Sequence, residues 1–439
     1  MRALVLAPQP FYSERGTPIS EENLLRVMSS RGWQIDLLTY SEGRDIRLPG
    51  LTIHRIPAIP GVSQIPPGFS LRKVLSDAVM TVEAIRLARR GGYDLVHALE
   101  ESVFIAAAIR KLFGIPYVYD MDSILSEQLV ERYPRLAHVA GALRYCEEVA
   151  VSGSLGVLAV CESLTSFARR LAPEAFVARL EDRTQLGPPR PAVESLGDLV
   201  APGSRILLYV GNLEPYQGID LLLEGFAAAA PLVPDLSLVV IGGSERNVAR
   251  YRARADELGL DGSVRLVGPR PVRDLRGYLE QADILVSPRI AGTNTPMKVY
   301  SFLDSGVPLL ATRLSTHLQA LDDDVARLFE PTPAGLAAAL VELATDDGLR
   351  RRIAAAAGRR VARRYSVPAF EARAREFLRE VERRVDAEGG RRHAGREAPG
   401  ASELSRPADI RWPGTTHPSA AAPPRARCAA RNPAPPLPA

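Results

Sequence analysis

The sequence predicts an α/β protein of two doubly wound, Rossmann-like domains facing a cleft, followed by a disordered C-terminal tail. Short runs rich in Val, Ile and Leu alternate with helical segments through both halves, the pattern of parallel sheets covered by helices on both faces. A length of 439 residues with 46% hydrophobic content is enough for two cores. Residues 187–203, GPPRPAVESLGDLVAPG, are rich in Pro and Gly, lack helix or strand periodicity and separate the halves.

In the first domain, residues 1–190, strands are expected over 3–7, 34–39, 51–56, 95–98, 117–121 and 156–160. Between them, amphipathic spacing predicts helices over about 18–30, 72–90, 103–112, 136–152 and 162–171. Residues 191–204 read as the linker. The second domain, residues 205–366, repeats the pattern with strands over 205–210, 236–241, 263–267, 284–287 and 308–311. Pro331 and Pro333 precede an Ala- and Leu-rich run and so open the closing helices, the last of which crosses over 367–385. Residues 386–439 are built of Pro, Ala, Gly and Arg with few aliphatics. Burial cannot offset ordering entropy there, so a disordered tail is expected.

The formal charge of +4 does not point to nucleic acid. Beyond Arg384 the chain carries eight Arg against five Asp or Glu, a net +3, which leaves +1 for the rest. Cys146, Cys161 and Cys428 show no Cys-x-x-Cys spacing, so no disulfide framework or zinc site is expected and a reducing, cytoplasmic setting fits best. Cys161, in a strand-like run without a basic neighbour, reads as core. With six His and no HExxH, no protein-built metal site is predicted. The apolar run at 1–8 is too short for a signal peptide, and the stretch 104–119 is broken by Arg110 and Lys111, well short of a membrane span.

Four loops in the second domain follow predicted strands and should open onto one sheet edge, where open α/β sheets bind ligands. They contain Gly211, Asn212, Gln217 and Gly218; Gly242 and Gly243; Gly268, Pro269 and Arg270; and Thr293, Asn294, Thr295 and Lys298. Glycine loops of this kind present backbone N–H groups to phosphate, although any one of them also serves as a plain strand-to-helix turn. Lys298 stands out because the 55 basic residues include only three lysines, Lys73, Lys111 and Lys298. A compact ammonium at the start of a helix suits a phosphate. No GxGxxG occupies the first strand-to-helix turn and no Walker-type loop precedes a lysine, so dinucleotide and P-loop readings have no support.

The order Gly-x-x-x-Pro-Tyr-Gln-Gly-x-Asp-Leu-Leu-Leu, Val-Val-Ile-Gly-Gly, Val-Arg-Leu-Val-Gly, Ala-Asp-Ile-Leu-Val-Ser-Pro and Ser-Gly-Val-Pro-Leu-Leu-Ala-Thr resembles the group 1 glycosyltransferases, also called glycosyltransferase family 4. The likeness spans 205–384. In the first half, Gly16-Thr17 resembles the family's N-terminal glycine loop and Tyr93-Asp94-Leu95-Val96-His97 its Asp-hydrophobic-His strand. The resemblance implies the GT-B fold and retention at the anomeric carbon. It implies a nucleotide-diphosphate sugar, UDP- or GDP-linked, as donor substrate and no permanently bound cofactor. By the same resemblance Gly16, Thr17, Gly211, Asn212, Gln217, Gly218, Gly243, Arg270, Thr293, Asn294, Thr295 and Ser301 line the donor site.

Three departures matter. Asn212 and Gln217 stand where many members carry Arg and Lys, which leaves Lys298, helped by Arg289 or Arg270, to compensate a diphosphate. Thr293 and Ser301 stand where two glutamates are common. Asp120 and Asp122 end a strand that often closes near a His; on an extended strand they point the same way, and they read either as acceptor-orienting or acid/base groups or as helix-capping residues. His97 likewise reads as an acceptor contact or a core histidine. The catalytic candidates are thus Asp120, Asp122 and Lys298. The amphipathic segment 71–90, basic at both ends, reads as a sheet-covering helix or as a contact with an anionic membrane if the acceptor is a lipid.

The expected activity is transfer of a sugar from a nucleotide-diphosphate sugar to a hydroxyl acceptor. A nucleotide-sugar epimerase on the same architecture and a non-catalytic sugar-nucleotide scaffold remain as alternatives, because fold does not fix the reaction.

Overall fold

The computed structural model describes residues 1–439 except 14–15, 64, 66–69, 189–193, 293 and 397–439. The tail expected to be disordered and Thr293 therefore lie largely or wholly outside the described residues.

The first sheet contains β1 (Arg2–Ala7), β2 (Gln34–Thr39), β3 (Leu51–Arg55), β4 (Leu95–Leu99), β5 (Tyr117–Met121), β6 (Gly156–Ala159) and β7 (Val177–Arg179), all parallel, in the order β3-β2-β1-β4-β5-β6-β7. Its helices are α1 (Gly16–Ser30), α2 (Leu71–Arg90), α3 (Ser102–Phe113), α4 (Leu125–Arg132), α5 (Ala140–Ser152) and α6 (Glu162–Leu171). Alternation along β1 shows why this sheet needs cover on both faces. Leu4 and Leu6 pack with Met80, Ala106, Ile109 and Leu164 of α2, α3 and α6, whereas Ala3, Val5 and Ala7 pack with Leu24, Leu25 and Met28 of α1.

The second sheet repeats the design with β8 (Arg205–Val210), β9 (Leu236–Ile241), β10 (Val264–Gly268), β11 (Ile284–Ser287), β12 (Leu309–Thr312) and β13 (Arg327–Phe329), in the order β10-β9-β8-β11-β12-β13. Around it lie α7 (Ile219–Ala229), α8 (Glu245–Glu257), α9 (Leu275–Leu279), α10 (Lys298–Asp304), α11 (Ser315–Leu318), α12 (Pro333–Thr345) and α13 (Asp347–Arg364). The topology reverses between β1 and β4 in one sheet and between β8 and β11 in the other. The carboxyl ends of those strands are where a doubly wound sheet leaves a crevice.

Several elements differ from expectation. The helix predicted over 136–152 is a 3₁₀ turn, Pro134–Val139, followed by α5, and the short polar α4 precedes it. The edge strands β7 and β13 have three residues each, too few to show a period of two. Leu186 and Leu196 belong to the second domain's core, so the chain has crossed over before the expected boundary at 190 and part of the expected linker is packed.

The final helix, α14 (Val367–Arg396), runs past the expected end at 385 into the segment expected to be disordered. It follows the second domain in sequence but buries Phe370, Ala374, Phe377, Leu378 and Val381 in the core of the first. Its Phe377 ring stacks on Phe176, with centroids 5.7 Å apart, and Glu382 accepts from the indole of Trp33 at 2.8 Å. At the crossover, buried Glu181 meets Arg179, Arg364 and Arg373. Burial pushes its pKa up, but Arg373, Arg364 and Arg179 outweigh that and hold it below the ordinary carboxylate value.

Helix α2 covers the first sheet with Met80, Ala84 and Ala88, and exposes Leu71, Val74, Leu75 and Val82 on its other side. Among the described residues no helix is long and apolar enough to cross a membrane.

Because α14 is held mainly by its apolar face, Phe377→Ala should cost about 3–5 kcal/mol and lower the urea midpoint of the first domain. A midpoint within error of the wild type would show that the helix is not needed for that core.

Candidate active site

In the second sheet the loops after β8, β9 and β11 lock together through glycines. Gly218 has φ +73°, and a Cβ there would lie 2.0 Å from the Pro288 carbonyl oxygen, so the loop leaving β8 touches the loop leaving β11 backbone to backbone. Gly242 stands in the same relation to the Gly211 carbonyl, also at 2.0 Å, while Gly243 packs on Leu213. Only residues without a side chain allow this approach.

Into this junction points Lys298. Its Nζ donates to Gln217 Oε1 at 3.1 Å, lies 4.1 Å from the centre of the Tyr209 ring and sits 3.0 Å from the point a Gly211 Cβ would occupy. Burial, and then the charge of Arg289, push its pKa down to about 7. Arg289 is itself buried, with its Nε donating to the Ala291 carbonyl at 2.6 Å and its guanidinium over the Tyr216 ring at 5.3 Å. Among the described residues, no carboxylate forms an ion pair with either cation. Two basic groups without an ion-pair partner at a sheet's switch point form a site that favours an anion.

His317 braces this edge from beneath. It is fully buried; the Thr312 carbonyl lies 2.9 Å from Nδ1 and Ser287 Oγ 3.0 Å from Nε2, so Nδ1–H donates to the carbonyl and Nε2 accepts from the serine. Thr312 in turn donates to the Arg289 carbonyl at 2.6 Å. Burial pushes the His317 pKa down to about 4, which keeps the ring neutral beside the two cations.

Other expected donor-site residues fare differently. Asn212 is exposed, and its Nδ2 donates to the Tyr216 hydroxyl at 3.2 Å. Asn294 is half-buried beside the junction, and buried Thr295 directs its backbone N–H to the Cys161 sulfur of the first domain. Two expectations need correction. Ser301 is fully buried, and its Oγ accepts from the Gln185 N–H at 3.0 Å, so it fastens the crossover segment instead of facing a ligand. Arg270 is committed to Glu194 at 2.6 Å and to the Val267 carbonyl at 2.7 Å, so it is not a free cation for phosphate.

At the first sheet's switch point acidic groups gather instead. Gly16 is exposed at the start of α1, and the Thr17 hydroxyl donates to Asp122. Asp120 Oδ2 lies 3.0 Å from Nε2 of His97, which is 1% exposed. Both aspartates therefore have partners within the fold. Burial, followed by Asp120 and Glu100, pushes Asp122 well above the usual carboxylate range; burial pushes Asp182 up to about 6, Glu100 to about 7 and Glu21 to about 8. Burial opposes protonation of His97, but the hydrogen bond and charge of Asp120 raise its pKa overall. Sequence reading missed Glu21, Glu100, Asp182, Tyr209 and His317. Glu21 had a signal: on α1 it falls on the face that Leu24 and Leu25 bury, where a carboxylate needs a reason.

The neutral state of His317 has a consequence for stability. Its folded pKa of about 4 lies below the ordinary 6.5, so between those values the unfolded chain binds a proton that the folded chain does not. The contribution is complete above pH 6.5 and is lost as pH falls towards 4, on the order of 3 kcal/mol at most. Urea midpoints measured across this range should fall more steeply for the wild type than for His317→Asn, and equal slopes would remove the assignment.

Comparison with known proteins agrees with this architecture. The chain matches the model of glycosyl transferases group 1 over residues 198–360 and that of the glycosyl transferase 4-like domain over 20–179. It is 27% identical over 379 residues to the phosphatidyl-myo-inositol mannosyltransferase of Mycobacterium leprae, covering 83% of this chain and 93% of that protein. It is 24% identical over 364 residues to the D-inositol 3-phosphate glycosyltransferase of Corynebacterium jeikeium, covering 76% and 84%. Among solved structures, sucrose-phosphate synthase from Thermosynechococcus elongatus superposes with a TM-score of 0.72 at 19% identity, over 87% of this chain and 98% of that one. Anabaena HepE in complex with UDP-glucose gives 0.66 at 15%, over 86% and 99%. At these identities the structural likeness is one of fold. With both domain models matched in order along the chain, and both sheets wound as that fold requires, the protein belongs to the group 1 glycosyltransferases of family 4 type, with the two-domain GT-B fold.

Proposed function

We propose that this hexosyltransferase moves a sugar from a nucleoside-diphosphate sugar, UDP- or GDP-linked, to a hydroxyl acceptor with retention at the anomeric carbon. The observation that carries the donor half is the pair Lys298 and Arg289 at the β8/β11 switch point, with no ion pair to a carboxylate among the described residues. HepE, described as bound to UDP-glucose, supports the same donor class. Retention is carried over from the family.

In this reading Lys298 and the N–H groups of the 211–218 and 294–298 loops take up charge that develops on the departing diphosphate. Such stabilisation grows as the bond to the sugar breaks and therefore lowers the barrier. The acceptor hydroxyl adds to the anomeric carbon, the carbon–oxygen bond to the diphosphate breaks, and the hydroxyl proton leaves with the diphosphate. Asp120 and Asp122 sit at the opposite switch point, where they would orient acceptor hydroxyls. The inositol-directed names of the two bacterial relatives support a polyol as the acceptor. If that acceptor is borne by a lipid, the exposed Leu71, Val74 and Leu75 beside Arg72 are the surface that would meet the membrane. Free thiols at Cys146 and Cys161 support a cytoplasmic setting.

Acceptor-dependent release of UDP or GDP from a panel of nucleotide sugars tests the reaction. An isomerised donor, or no turnover with any acceptor, would overturn it. Lys298→Ala should weaken UDP or GDP binding by about 1.5–3 kcal/mol, roughly 10–150-fold, in calorimetry. Unchanged affinity would sink the role given to Lys298. An ammonium that titrates near pH 7 when unoccupied must take up a proton as phosphate binds above that pH. Nucleotide affinity should therefore fall from pH 7.5 to 9, by at most about tenfold per unit, and the binding enthalpy should vary with the buffer's ionisation enthalpy. A pH-independent affinity in the wild type would contradict this.

A further inference from the structure

We infer that Glu21, His97 and Asp120 form a binding site for one divalent first-row cation, Zn²⁺ or Mn²⁺. The three come from separate elements, α1, β4 and β5, which is why no spacing in the sequence announces them. One ligand atom from each lies within 4.8 Å of the other two. A metal at about 2.0–2.2 Å from each donor asks for little more than side-chain adjustment.

The independent observation is the state of Glu21. It is 2% exposed, and neither of its carboxylate oxygens has a hydrogen-bond partner; Nδ1 of His97, at 1% exposure, has none either. Buried carboxylates are ordinarily paired, hydrogen-bonded or bound to a metal. A proton on Glu21 would leave its second oxygen unsatisfied. A cation would take up both oxygens.

Neighbouring charges point the same way. Asp122 and Glu100 stand close by, and the nearby protein cations are engaged elsewhere: Lys73 with Glu101 at 2.5 Å, and Arg183 with Asn23 at 2.6 Å and the Thr184 carbonyl at 3.0 Å. One imidazole with two carboxylates suits Zn²⁺ or Mn²⁺ better than Mg²⁺, which prefers oxygen and water. The Asp120 side chain keeps 13% exposure, an opening for an incoming ion. The ion would fix the ends of β4 and β5 against the first turns of α1, where the acceptor is proposed to sit. Binding of the ion does not depend on the proposed transfer reaction, so either can fail without the other.

The test uses tag-free full-length protein stripped with a chelator. Calorimetric titration with Zn²⁺, and separately with Mn²⁺, should find one ion per chain with micromolar or tighter affinity, and should raise the melting temperature. Pulsed EPR of the Mn²⁺ form should show nitrogen coupling from one imidazole. Glu21→Gln and Asp120→Asn should each weaken binding at least tenfold. Absence of saturable binding in the wild type overturns the inference. So does equal affinity in folded variants, which would place the ion elsewhere, such as the exposed run Asp322-Asp323-Asp324. If the variants do not fold, the wild-type spectrum decides, and a Mn²⁺ signal without nitrogen coupling counts against the site.

Discussion

The fold depends on a helix that returns. Helix α14 leaves the second domain and buries its apolar face in the first, where Phe370, Phe377 and Val381 complete a core that α1 covers only in part. That burial ties the ends of the chain's two α/β units into one body, with Glu181 and its three arginines at the crossing point. Burying Glu181 without them would leave a dehydrated charge; with them it becomes a fixed joint. Around this joint Ser301 and Thr184 fasten the crossover segment, Ser301 by its bond to Gln185 and Thr184 by its bond to Asp304.

Held in this way, the two sheets present one switch point of basic groups and one of acidic groups. Lys298 and Arg289 sit at one, and Glu21, Asp120 and Asp122 with a single imidazole sit at the other. Both arrangements are costly in the absence of a ligand, and each is supported by a buried polar frame. His317, Ser287 and Thr312 hold the basic edge, and Thr17 with His97 holds the acidic one. Strain of this electrostatic kind is what a binding site stores and a ligand relieves. The missing basic residues at Asn212 and Gln217 do not leave this edge without a basic group, because Gln217 itself accepts from the ammonium of Lys298.

Much of this was legible in the chain. Short runs rich in Val, Ile and Leu and amphipathic spacing placed most strands and helices, and the rarity of lysine singled out Lys298. What escaped had physical reasons. Strands β7 and β13 are too short to stand out as apolar runs, and α4 is too polar. Ser301 and Arg270 carry chemistry suited to a ligand, but burial in one case and an ion pair with Glu194 in the other commit them to the protein. Sequence shows the donor groups a residue owns, not the partners that consume them.

By itself, then, the sequence determined the two α/β units, the glycine loops at their strand ends and the family, because these rest on local periodicity and on motifs contiguous in the chain. Tertiary structure alone decided which charged groups meet at each site. Tyr209 and Gln217 reach Lys298 only when β11 lies beside β8, and Glu21, His97 and Asp120 meet only when α1 folds over β4 and β5. Distance and burial set the energy of a charge, and neither is written in the order of residues.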